Sequence, residues 1–335
     1  MAYIPFKYCA QCVIAFAVMS AALHCVFYIA KLSTTRVETQ SHKMSHLTES
    51  PRKLLTEWTS VSVSNVVLPV SFDFGNETFD CRIATLMKMS FPVCHYTVQT
   101  DRLVTKMLLR GMYMESYEVS RFVLLLHGDP QLQFVDIGAN VGLFTLPAAR
   151  VTKVLAVEPN RRSISRLAKA VVLGRVTSNV TLVHNAISNV RTTLYMGVDP
   201  TNQGNAYLIN TANCTDTILR KPCNTLLPTR TILLNDLLPL MRSKAALLKV
   251  DVEGNEFRVF TESTARQFFD HVDVRLVLME WAFHRRNSVN TIQPLLNFFY
   301  SRNYTVFNTR NKKLKENYRR WPGNIVFKKF AHMPF

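Results

Sequence analysis

The sequence predicts an α/β fold, a doubly wound, Rossmann-like sheet of seven strands, with a membrane anchor in front of it. Short apolar segments alternate with amphipathic segments of helical periodicity from residue 131 to residue 335. A glycine-containing turn follows the first of these apolar segments, and a long uncharged segment lies close to the N-terminus. Apolar strands that alternate with helices indicate a parallel sheet covered by helices on both faces.

The composition is that of a folded, basic protein. Of 335 residues, 48% are hydrophobic and 19% are charged, which suits a chain that buries a full core. The net charge of +17 would suit nucleic acid, acidic membranes or anionic substrates. Nucleic acid is not the expected partner, because the basic residues do not interleave with aromatic residues as on single-strand binding surfaces. The densest basic stretch runs from Arg302 to Lys329.

The uncharged segment at residues 8–30 is long enough to cross a bilayer as a helix. A cleaved signal peptide, cut near Ser20, is the alternative. The apolar run continues beyond that point through Ile29, which favours an uncleaved anchor. We therefore predict that residues 1–30 are a signal anchor with a transmembrane helix, followed by a lumenal catalytic domain.

Glycosylation sites and cysteines agree with a lumenal domain. Asn-x-Ser/Thr sequons follow the apolar segment at Asn76, Asn179, Asn213 and Asn303. The cysteines beyond that segment are Cys81, Cys94, Cys214 and Cys223. Their number allows two disulfides in three connectivities, of which pairs of sequence neighbours are the simplest. Reduced thiols are the alternative.

The rest of the chain divides into three parts. Residues 31–65 are polar and predict a stem. Residues 66–130 predict a cap or extension, in which short β-prone runs are followed by a helix at 115–127. Residues 131–335 carry the alternating pattern and predict the main domain.

The periodicity of apolar residues and the positions of turn-forming residues predict the elements of the main domain. The predicted strands are residues 133–137, 153–158, 180–187, 246–252, 274–281, 304–308 and 324–328. The predicted helices are 142–150 and 161–173, with others near 233–241, 256–263 and 291–300. A short connection between the last two strands indicates a terminal β-hairpin, and an additional β pair is expected near 191–198.

The turn after the first strand has the pattern of a cofactor-binding loop. Ligands of open α/β sheets bind beyond the carboxyl ends of the strands. Gly138 permits a tight turn there, and Gly142 lets the following helix approach the strand. Glu158 ends the second strand, where an acidic side chain would accept hydrogen bonds from ribose hydroxyls.

The spacing argues against a nicotinamide cofactor, because Gly-x-x-x-Gly after an aspartate is not Gly-x-Gly-x-x-Gly. The carboxylate of Asp136 would suit the cationic amino-acid end of S-adenosylmethionine and repel a pyrophosphate. A role of Asp136 in capping the next helix is compatible with this hypothesis. The predicted S-adenosylmethionine site comprises Asp136, Gly138, Ala139, Asn140, Gly142, Glu158, Asn185 and Ala186. The last two border the adenine by position, or serve only as turn residues.

Charged residues that could carry out chemistry lie on the fourth and fifth predicted strands. Lys249, Asp251 and Glu253 alternate along one strand and would share a face. Glu280 ends the neighbouring strand, and His284 follows it. We expect Asp251 or Glu253 to orient an acceptor and His284 to act as the base. Lys249 would pair with a carboxylate or contact the acceptor.

Two other interpretations of these charges remain. Lys249 and Glu256 could belong to a buried ion-pair network that stiffens the strand ends. The carboxylates and His284 could instead hold a divalent metal that organises a diol. We assign no metal ligand from the sequence.

Four segments resemble the FkbM-type methyltransferases. Residues 248–256 resemble the Lys-x-Asp-x-Glu-Gly-x-Glu signature of that family, and 111–115 its Gly-x-x-x-Glu turn. Residues 183–188 and 278–281 resemble its third-strand and fifth-strand segments. The resemblance covers roughly residues 101–285 and implies a class I methyltransferase sheet and hydroxyl methylation. Asn255 and Trp281 depart from the family pattern, in ways that would alter an acceptor pocket.

The sequence therefore predicts an S-adenosylmethionine-dependent O-methyltransferase whose acceptor is a hydroxyl group, with a glycan favoured. We expect a single-pass, type II protein of the Golgi or endoplasmic reticulum. Alternatives are a protein or lipid methyltransferase on the same membranes, or a non-catalytic, membrane-tethered binding module of the same fold. The non-catalytic alternative is disfavoured by two sets of residues: Asp136, Gly138, Gly142 and Glu158 in the predicted cofactor site, and Asp251 and Glu253 among the predicted catalytic residues.

Overall fold

The computed structural model describes residues 78–199, 201–209 and 225–329. The predicted anchor (1–30), the stem (31–65) and the start of the cap lie outside these residues. So do Asn76, Asn213, Cys214 and Cys223. Among the described residues, no helix has both the length and the apolar character needed to span a bilayer.

The elements are numbered in chain order. The strands are β1 (Asp80–Leu86), β2 (Met89–His95), β3 (Leu132–Ile137), β4 (Val154–Val157), β5 (Val180–Val183), β6 (Ala186–Ile187), β7 (Thr193–Asp199), β8 (Asn202–Ile209), β9 (Thr225–Ile232), β10 (Ala245–Val250), β11 (Asp273–Glu280), β12 (Thr305–Asn308) and β13 (Asn324–Lys328). The α-helices are α1 (Val104–Leu109), α2 (Ser116–Gly128), α3 (Thr145–Ala148), α4 (Arg161–Leu173), α5 (Glu256–Val259), α6 (Glu262–His271) and α7 (Val289–Tyr300). Short 3₁₀ helices include Leu234–Leu240, Phe283–Arg286 and Tyr318–Arg320.

The cap begins with an antiparallel hairpin of β1 and β2. Met87 and Lys88 form its two-residue turn with φ of 50° and 65°, the conformation that matches the twist of hairpin strands. Cys81 lies opposite Cys94 in the register, and the two form a disulfide. The predicted pairing of sequence neighbours is therefore confirmed for Cys81 and Cys94.

The main sheet has seven strands in the order β12-β13-β11-β10-β3-β4-β5. The strands are parallel except β13, which pairs antiparallel with β11 and β12. The central strands β3 and β10 are buried along their whole length, because helices cover both faces. Phe122 of α2 packs edge-on against Phe134 of β3, with ring centroids 5.4 Å apart. The cap and the sheet therefore share one hydrophobic cluster.

Six of the seven predicted strands are present, and the predicted helix 161–173 is α4. The strand predicted at 180–187 divides into β5, in the main sheet, and β6, in a second sheet. Three predicted helices differ. The helix predicted at 142–150 contracts to α3, after a turn in which Gly142 has φ of 92°. The one near 233–241 is a 3₁₀ helix that contains Pro239, which lacks an N–H for the helical ladder. The one near 256–263 divides in two, because Thr261 caps α6 by accepting a hydrogen bond from the Thr264 N–H.

The additional β pair expected near 191–198 is part of a larger insertion. Strands β6 to β9 form a second sheet in the order β6-β9-β7-β8. The start of β8 contacts both the cap and the main domain. The Gln203 N–H donates to the Thr100 carbonyl over 2.7 Å, and the Asn160 amide donates to the Gln203 carbonyl over 2.9 Å. The inserted sheet thus covers the carboxyl edge of the main sheet near β3 and β4.

Candidate functional site

A cavity lies at the carboxyl ends of the parallel strands, where open α/β sheets bind ligands. About 1100 Å³ of space lies within it when the open solvent at its mouth is included. Its wall is formed by the loop after β3 (residues 138–144, the cofactor loop), by the ends of the strands, by the cap and by the inserted sheet. Of the predicted site residues, Gly138, Ala139, Asn140, Glu158, Asn185, Ala186, Lys249, Asp251 and Glu253 line it.

Gly138 allows the loop after β3 to pack against the end of β10. Its φ is 82°, and an added Cβ would lie 1.8 Å from the carbonyl oxygen of Asp251. Lys249 Nζ donates a hydrogen bond to the Gly138 carbonyl over 2.8 Å. The cofactor loop and the strand that carries the charged residues are therefore in direct contact.

Asn140 connects the cofactor loop to the inserted sheet. It has φ of 49°, a left-handed conformation that asparagine tolerates better than most residues. Its side-chain amide donates to the Gly204 carbonyl over 3.3 Å, and its carbonyl accepts from the Ser163 hydroxyl. Gly142 lies beyond the cavity wall, where an added Cβ would lie 2.4 Å from the Leu167 side chain.

Glu158 lies in the cavity wall, with both carboxylate oxygens bound by backbone N–H groups. Oε1 accepts from Asn160 and Oε2 from Asn140, each over 2.7 Å. Burial raises the pKa of this carboxyl to about 7, although the two N–H groups favour its charged form. Each oxygen has a further lone pair, so an ionised Glu158 can still accept hydrogen bonds from a ribose diol.

Asp136 lies behind the cofactor loop and not in the cavity wall. It is fully buried, and its Oδ2 accepts a hydrogen bond of 2.6 Å from the Thr145 hydroxyl. Its Oδ1 has no hydrogen-bond partner among the described residues, and Lys249 Nζ lies 3.9 Å away. The geometry therefore does not support the expected direct contact of Asp136 with the cofactor, because Thr145 and α3 hold the carboxyl on the inner side of the turn.

Lys249 joins the acidic groups around the cavity. Its Nζ lies 3.2 Å from Asp251 Oδ2. Burial by itself lowers the pKa of Lys249, but the negative charge of Asp251 and of two further carboxylates raises it overall. Lys249 therefore stays protonated near neutral pH and serves as a fixed positive charge.

Glu115 is a wall residue that appears in the sequence only as part of the Gly-x-x-x-Glu turn. It precedes α2 with φ of 53°, and its Oε1 accepts a hydrogen bond of 2.8 Å from the Asn324 side chain. Burial raises its pKa, and the neighbouring charge of Asp251 adds to this effect. Glu115 lies far from the strand ends in the sequence, so the sequence did not predict that it would line the cavity.

Asp251 and Glu253 both line the cavity. The side chain of Asp251 is 32% exposed there. Glu253 and Gly254 both have positive φ, of 56° and 94°, so the chain turns sharply after Asp251. This turn brings the two acidic residues into the same wall.

Glu280 lies beside Asp251 rather than in the wall itself. The two side chains are hydrogen-bonded. Burial raises the pKa of Glu280, and the carboxylates of Asp251, Glu256 and Glu253 raise it further. Glu280 is thus protonated near neutral pH and donates to Asp251, so it is not available as a base.

His284 does not reach the cavity, contrary to the expectation from its sequence position. It is fully buried, and its Nε2 lies 2.8 Å from Glu256 Oε2. Its Nδ1 lies 3.1 Å from the Asn287 amide, so both ring nitrogens have partners. The 3₁₀ helix after β11 turns the imidazole toward Trp281, with ring centroids 4.9 Å apart.

We assign no metal ligand from this geometry either. Carboxyl oxygens of Asp251, Glu256 and Glu280 lie within 4.8 Å of one another. Glu256 already accepts from the Val252 N–H and contacts His284 through its other oxygen.

The chemistry of the wall fits S-adenosylmethionine. Carboxylates at Glu115, Asp251 and Glu253 suit a cationic ligand, and a phosphate would be repelled by them. Apolar residues, among them Ile187, Met196 and Leu208, line the same cavity as Asn185 and Ala186. The Asn185 amide donates to the Arg230 carbonyl over 3.3 Å, which ties this part of the wall to the inserted sheet.

The match to a family model agrees with this chemistry. The family model described as the methyltransferase FkbM domain matches residues 136–306. No curated protein matches the chain in sequence. Among solved structures, the chain is similar to the methyltransferase FkbM of Methylobacillus flagellatus KT, with 15% identity, a TM-score of 0.37, and coverage of 63% of this chain and 53% of that one. It is also similar to an S-adenosylmethionine-dependent O-methyltransferase of Thermotoga maritima, with 10% identity, a TM-score of 0.34, and coverage of 73% and 76%.

Proposed function

The chain belongs to the FkbM methyltransferase family, and we propose from this premise that it methylates a hydroxyl group of a glycan in the secretory pathway. Its fold is the α/β fold of class I methyltransferases, with a mixed seven-stranded sheet. It is an S-adenosylmethionine-dependent methyltransferase. The acceptor and the compartment are the parts that we propose.

The observation that carries the proposal is the position of Asp251. Its carboxylate is exposed to the cavity at the end of β10, and its backbone carbonyl packs against the cofactor loop at Gly138. An acceptor hydroxyl beside the methyl donor would therefore lie close to a carboxylate that can accept its proton. A polyhydroxylated acceptor could also donate hydrogen bonds to Glu115 and Glu253 in the same wall.

Held against the loop at Gly138 and beside Glu158, S-adenosylmethionine would supply a sulfonium methyl group for the acceptor oxygen, with a neutral thioether as the leaving group. Asp251 takes the hydroxyl proton. Lys249 and the protonated Glu280 hold the Asp251 carboxyl from two sides. These contacts align the carboxyl before the acceptor binds, which lowers the cost of ordering it.

A second group of contacts holds the turn that carries these residues. Glu256 accepts a hydrogen bond of 2.8 Å from the Val252 N–H, and His284 binds the other oxygen of Glu256. We assign His284 a positioning role, since it contacts Glu256 and not the cavity. The base in this proposal is a carboxylate, in place of the histidine that the sequence suggested.

Three features support a lumenal location. The uncharged segment at 8–30 has the length of a membrane anchor. Four sequons follow it. The Cys81–Cys94 disulfide fits an oxidising compartment such as the secretory pathway. A methyltransferase in that lumen would encounter glycans and glycolipids.

Asp251→Asn tests the catalytic assignment. We expect the variant to bind S-adenosylmethionine within a few-fold of the natural chain but to lose about 100-fold or more in methyl transfer, because the amide cannot accept the proton. Calorimetry measures cofactor binding, and labelled S-adenosylmethionine measures transfer to a panel of glycans, proteins and lipids.

Asp270→Asn is the matched control, because Asp270 is an exposed residue of α6 that pairs with Arg266. It should retain full activity. Full activity of Asp251→Asn would refute the assignment of the base. Transfer to proteins or lipids but to no glycan would refute the proposed acceptor, and a natural chain that binds no cofactor would refute the function itself.

A further inference from the structure

A second concave surface lies on the same edge of the sheet, outside the cavity. We name it the arginine hollow and define it by Arg285, Arg319 and Arg320, with Asn308, Trp321 and Pro322. Two 3₁₀ helices carry its arginines, one after β11 and one before β13. Neither the cofactor site nor the proposed methyl transfer uses these side chains.

Specific hydrogen bonds build the hollow. Arg285 Nε donates to the Trp321 carbonyl over 2.7 Å, and Arg319 Nη1 donates to the Arg285 carbonyl over 3.1 Å. These bonds bring two like-charged residues together and leave most of their N–H donors without a partner among the described residues. Guanidinium groups with available donors bind carboxylate and sulfate oxygens in a forked geometry.

No ion pair among the described residues compensates the positive charge around the hollow. From residue 281 to residue 329, Glu316 is the one acidic residue. The basic residues of the hollow and its surroundings form no ion pair in the part of the chain that the structure describes; they are Arg285, Arg286, Arg310, Lys312, Lys313, Lys315, Arg319 and Arg320. Such a concentration of positive charge attracts anions to this edge of the molecule.

The hollow is close to the cavity. Trp321 lines the hollow, and Asn324 donates a hydrogen bond to Glu115 in the cavity wall. Even fully extended, the chain between these two residues spans only about 10 Å. A short oligosaccharide could therefore reach from one surface to the other.

We propose that the arginine hollow binds a carboxylate or sulfate group of an anionic glycan, of which another hydroxyl group is methylated in the cavity beside Asp251; this rests on the proposed function. The acidic cavity wall repels an anionic group, and the hollow attracts one. The two surfaces together orient the acceptor, with its neutral hydroxyl in the cavity and its negative substituent in the hollow. The acceptor is accordingly a charged glycan and not a neutral one.

The surroundings of the hollow favour a glycan over nucleic acid and membranes. Single-stranded nucleic acid binds exposed aromatic side chains by stacking, whereas Tyr318 and Trp321 are buried. Membrane-surface segments combine basic residues with exposed apolar ones. None of the exposed large hydrophobic residues among the described ones lies between 302 and 329.

The test measures binding of defined oligosaccharides to the full chain in detergent. The probes are hexasaccharides of chondroitin sulfate and of hyaluronan, with chitohexaose as the uncharged comparison. Hyaluronan carries carboxylates without sulfates, so the two anionic probes separate the two groups. We expect at least one of them to bind about tenfold or more tightly than chitohexaose.

The variants are Arg319→Gln/Arg320→Gln and, because Arg319 also holds the Arg285 carbonyl, Arg320→Gln alone. We expect the double variant to weaken binding of the anionic hexasaccharide about tenfold or more, and the single variant to weaken it in the same direction. The matched control is Arg242→Gln/Lys244→Gln, which removes two exposed charges just before β10, at the opposite edge of the sheet. It should change binding by less than about twofold, and all variants should bind S-adenosylmethionine normally.

Equal binding of charged and uncharged hexasaccharides would overturn the proposal, as would equal losses in the Arg319/Arg320 and control variants. Vesicles of phosphatidylserine and a single-stranded RNA serve as rival probes. The proposal would also be overturned if the Arg319→Gln/Arg320→Gln variant lost more binding to the vesicles or to the RNA than to the hexasaccharides. Failure of the proposed function gives a different result, in which the natural chain binds no S-adenosylmethionine or transfers no methyl group to any glycan.

Discussion

At the scale of single residues, two buried glutamates near the cavity differ in the groups around them. Glu158 receives two backbone N–H groups, and its pKa is about 7. Glu280 is surrounded by carboxylates, and its Oε2 has no hydrogen-bond partner among the described residues. Glu158 can therefore ionise when a ligand provides hydroxyl donors, whereas Glu280 stays protonated and acts as a donor.

We predict that Glu158 makes cofactor binding depend on pH. Below pH 7 its carboxyl is mostly protonated and loses capacity to accept hydrogen bonds from the ribose. We expect 5′-deoxy-5′-methylthioadenosine, which has the ribose and adenine without the titratable amino-acid end, to bind about tenfold more weakly at pH 6 than at pH 8. Calorimetry across this range measures the dissociation constant.

The Glu158→Gln variant is the control for this prediction, since its side chain does not titrate. Its affinity should be lower and independent of pH, and a tenfold pH dependence that persists in it would contradict the assignment. In the unbound protein the linkage has the opposite sign. A raised carboxyl pKa contributes stability that is complete below the unfolded-state pKa and is lost as the pH rises through about 7.

At the scale of elements, the site depends on how closely the β3 loop approaches the end of β10. Backbone contacts fix this approach: the Asp251 N–H donates to the Ile137 carbonyl over 3.0 Å, and the Gly138 Cα faces the Asp251 carbonyl. The inserted sheet then closes over the loop through the contact of Asn140 with Gly204. Three elements that are distant in the sequence thus position one cofactor loop.

Gly138→Ala tests this approach. The added methyl group would lie 1.8 Å from a backbone oxygen at a φ of 82°, so the loop and β10 must separate. We expect a loss of about 3 kcal/mol or more in the free energy of unfolding, and a loss of cofactor binding. Urea denaturation and calorimetry provide the two measurements.

Gly128→Ala is the matched control, because Gly128 ends α2 and an added methyl group there contacts nothing within 4 Å. It should be neutral or slightly stabilising, since alanine favours helix over glycine. Normal stability and cofactor affinity in Gly138→Ala would show that the contact between the loop and β10 does not constrain the site.

At the scale of the whole molecule, the described sequons differ in their accessibility. Asn303 is exposed, in the turn between α7 and β12, with φ of 63°. The Asn179 amide donates to the Ala149 carbonyl over 2.9 Å and accepts from Lys153 Nζ over 2.8 Å. A glycan on Asn179 would disrupt these contacts, whereas one on Asn303 would extend into solvent.

We therefore predict that the full chain, expressed in a secretory cell, carries a glycan at Asn303 and none at Asn179. Electrophoretic mobility before and after glycosidase treatment measures this. Asn303→Gln should lose one glycan increment, and Asn179→Gln should lose none. A natural chain whose mobility does not respond to glycosidase would contradict the lumenal location.

Local patterns were sufficient to predict much of this protein. The periodicity of apolar residues and the turn residues predicted α4 and six of the seven strands, since these depend on neighbours a few residues apart. The Gly138 turn and Glu158 were predicted for the same reason, because each follows directly from the end of a strand. The helices near 142–150 and 256–263 were predicted less well, since a single glycine or capping threonine decided where they begin and end.

Only the tertiary structure decided what each charged side chain can do. His284 follows Glu280 closely in the sequence, yet a short 3₁₀ helix places it against Glu256 in the core. Asp136 lies behind its loop, and Glu115 enters the cavity wall from the cap. The physical reason is that burial, hydrogen bonding and pKa depend on groups brought together from distant segments. A sequence motif identifies which residues lie at the strand ends, but the packing around them determines which are charged, which are exposed and which can react.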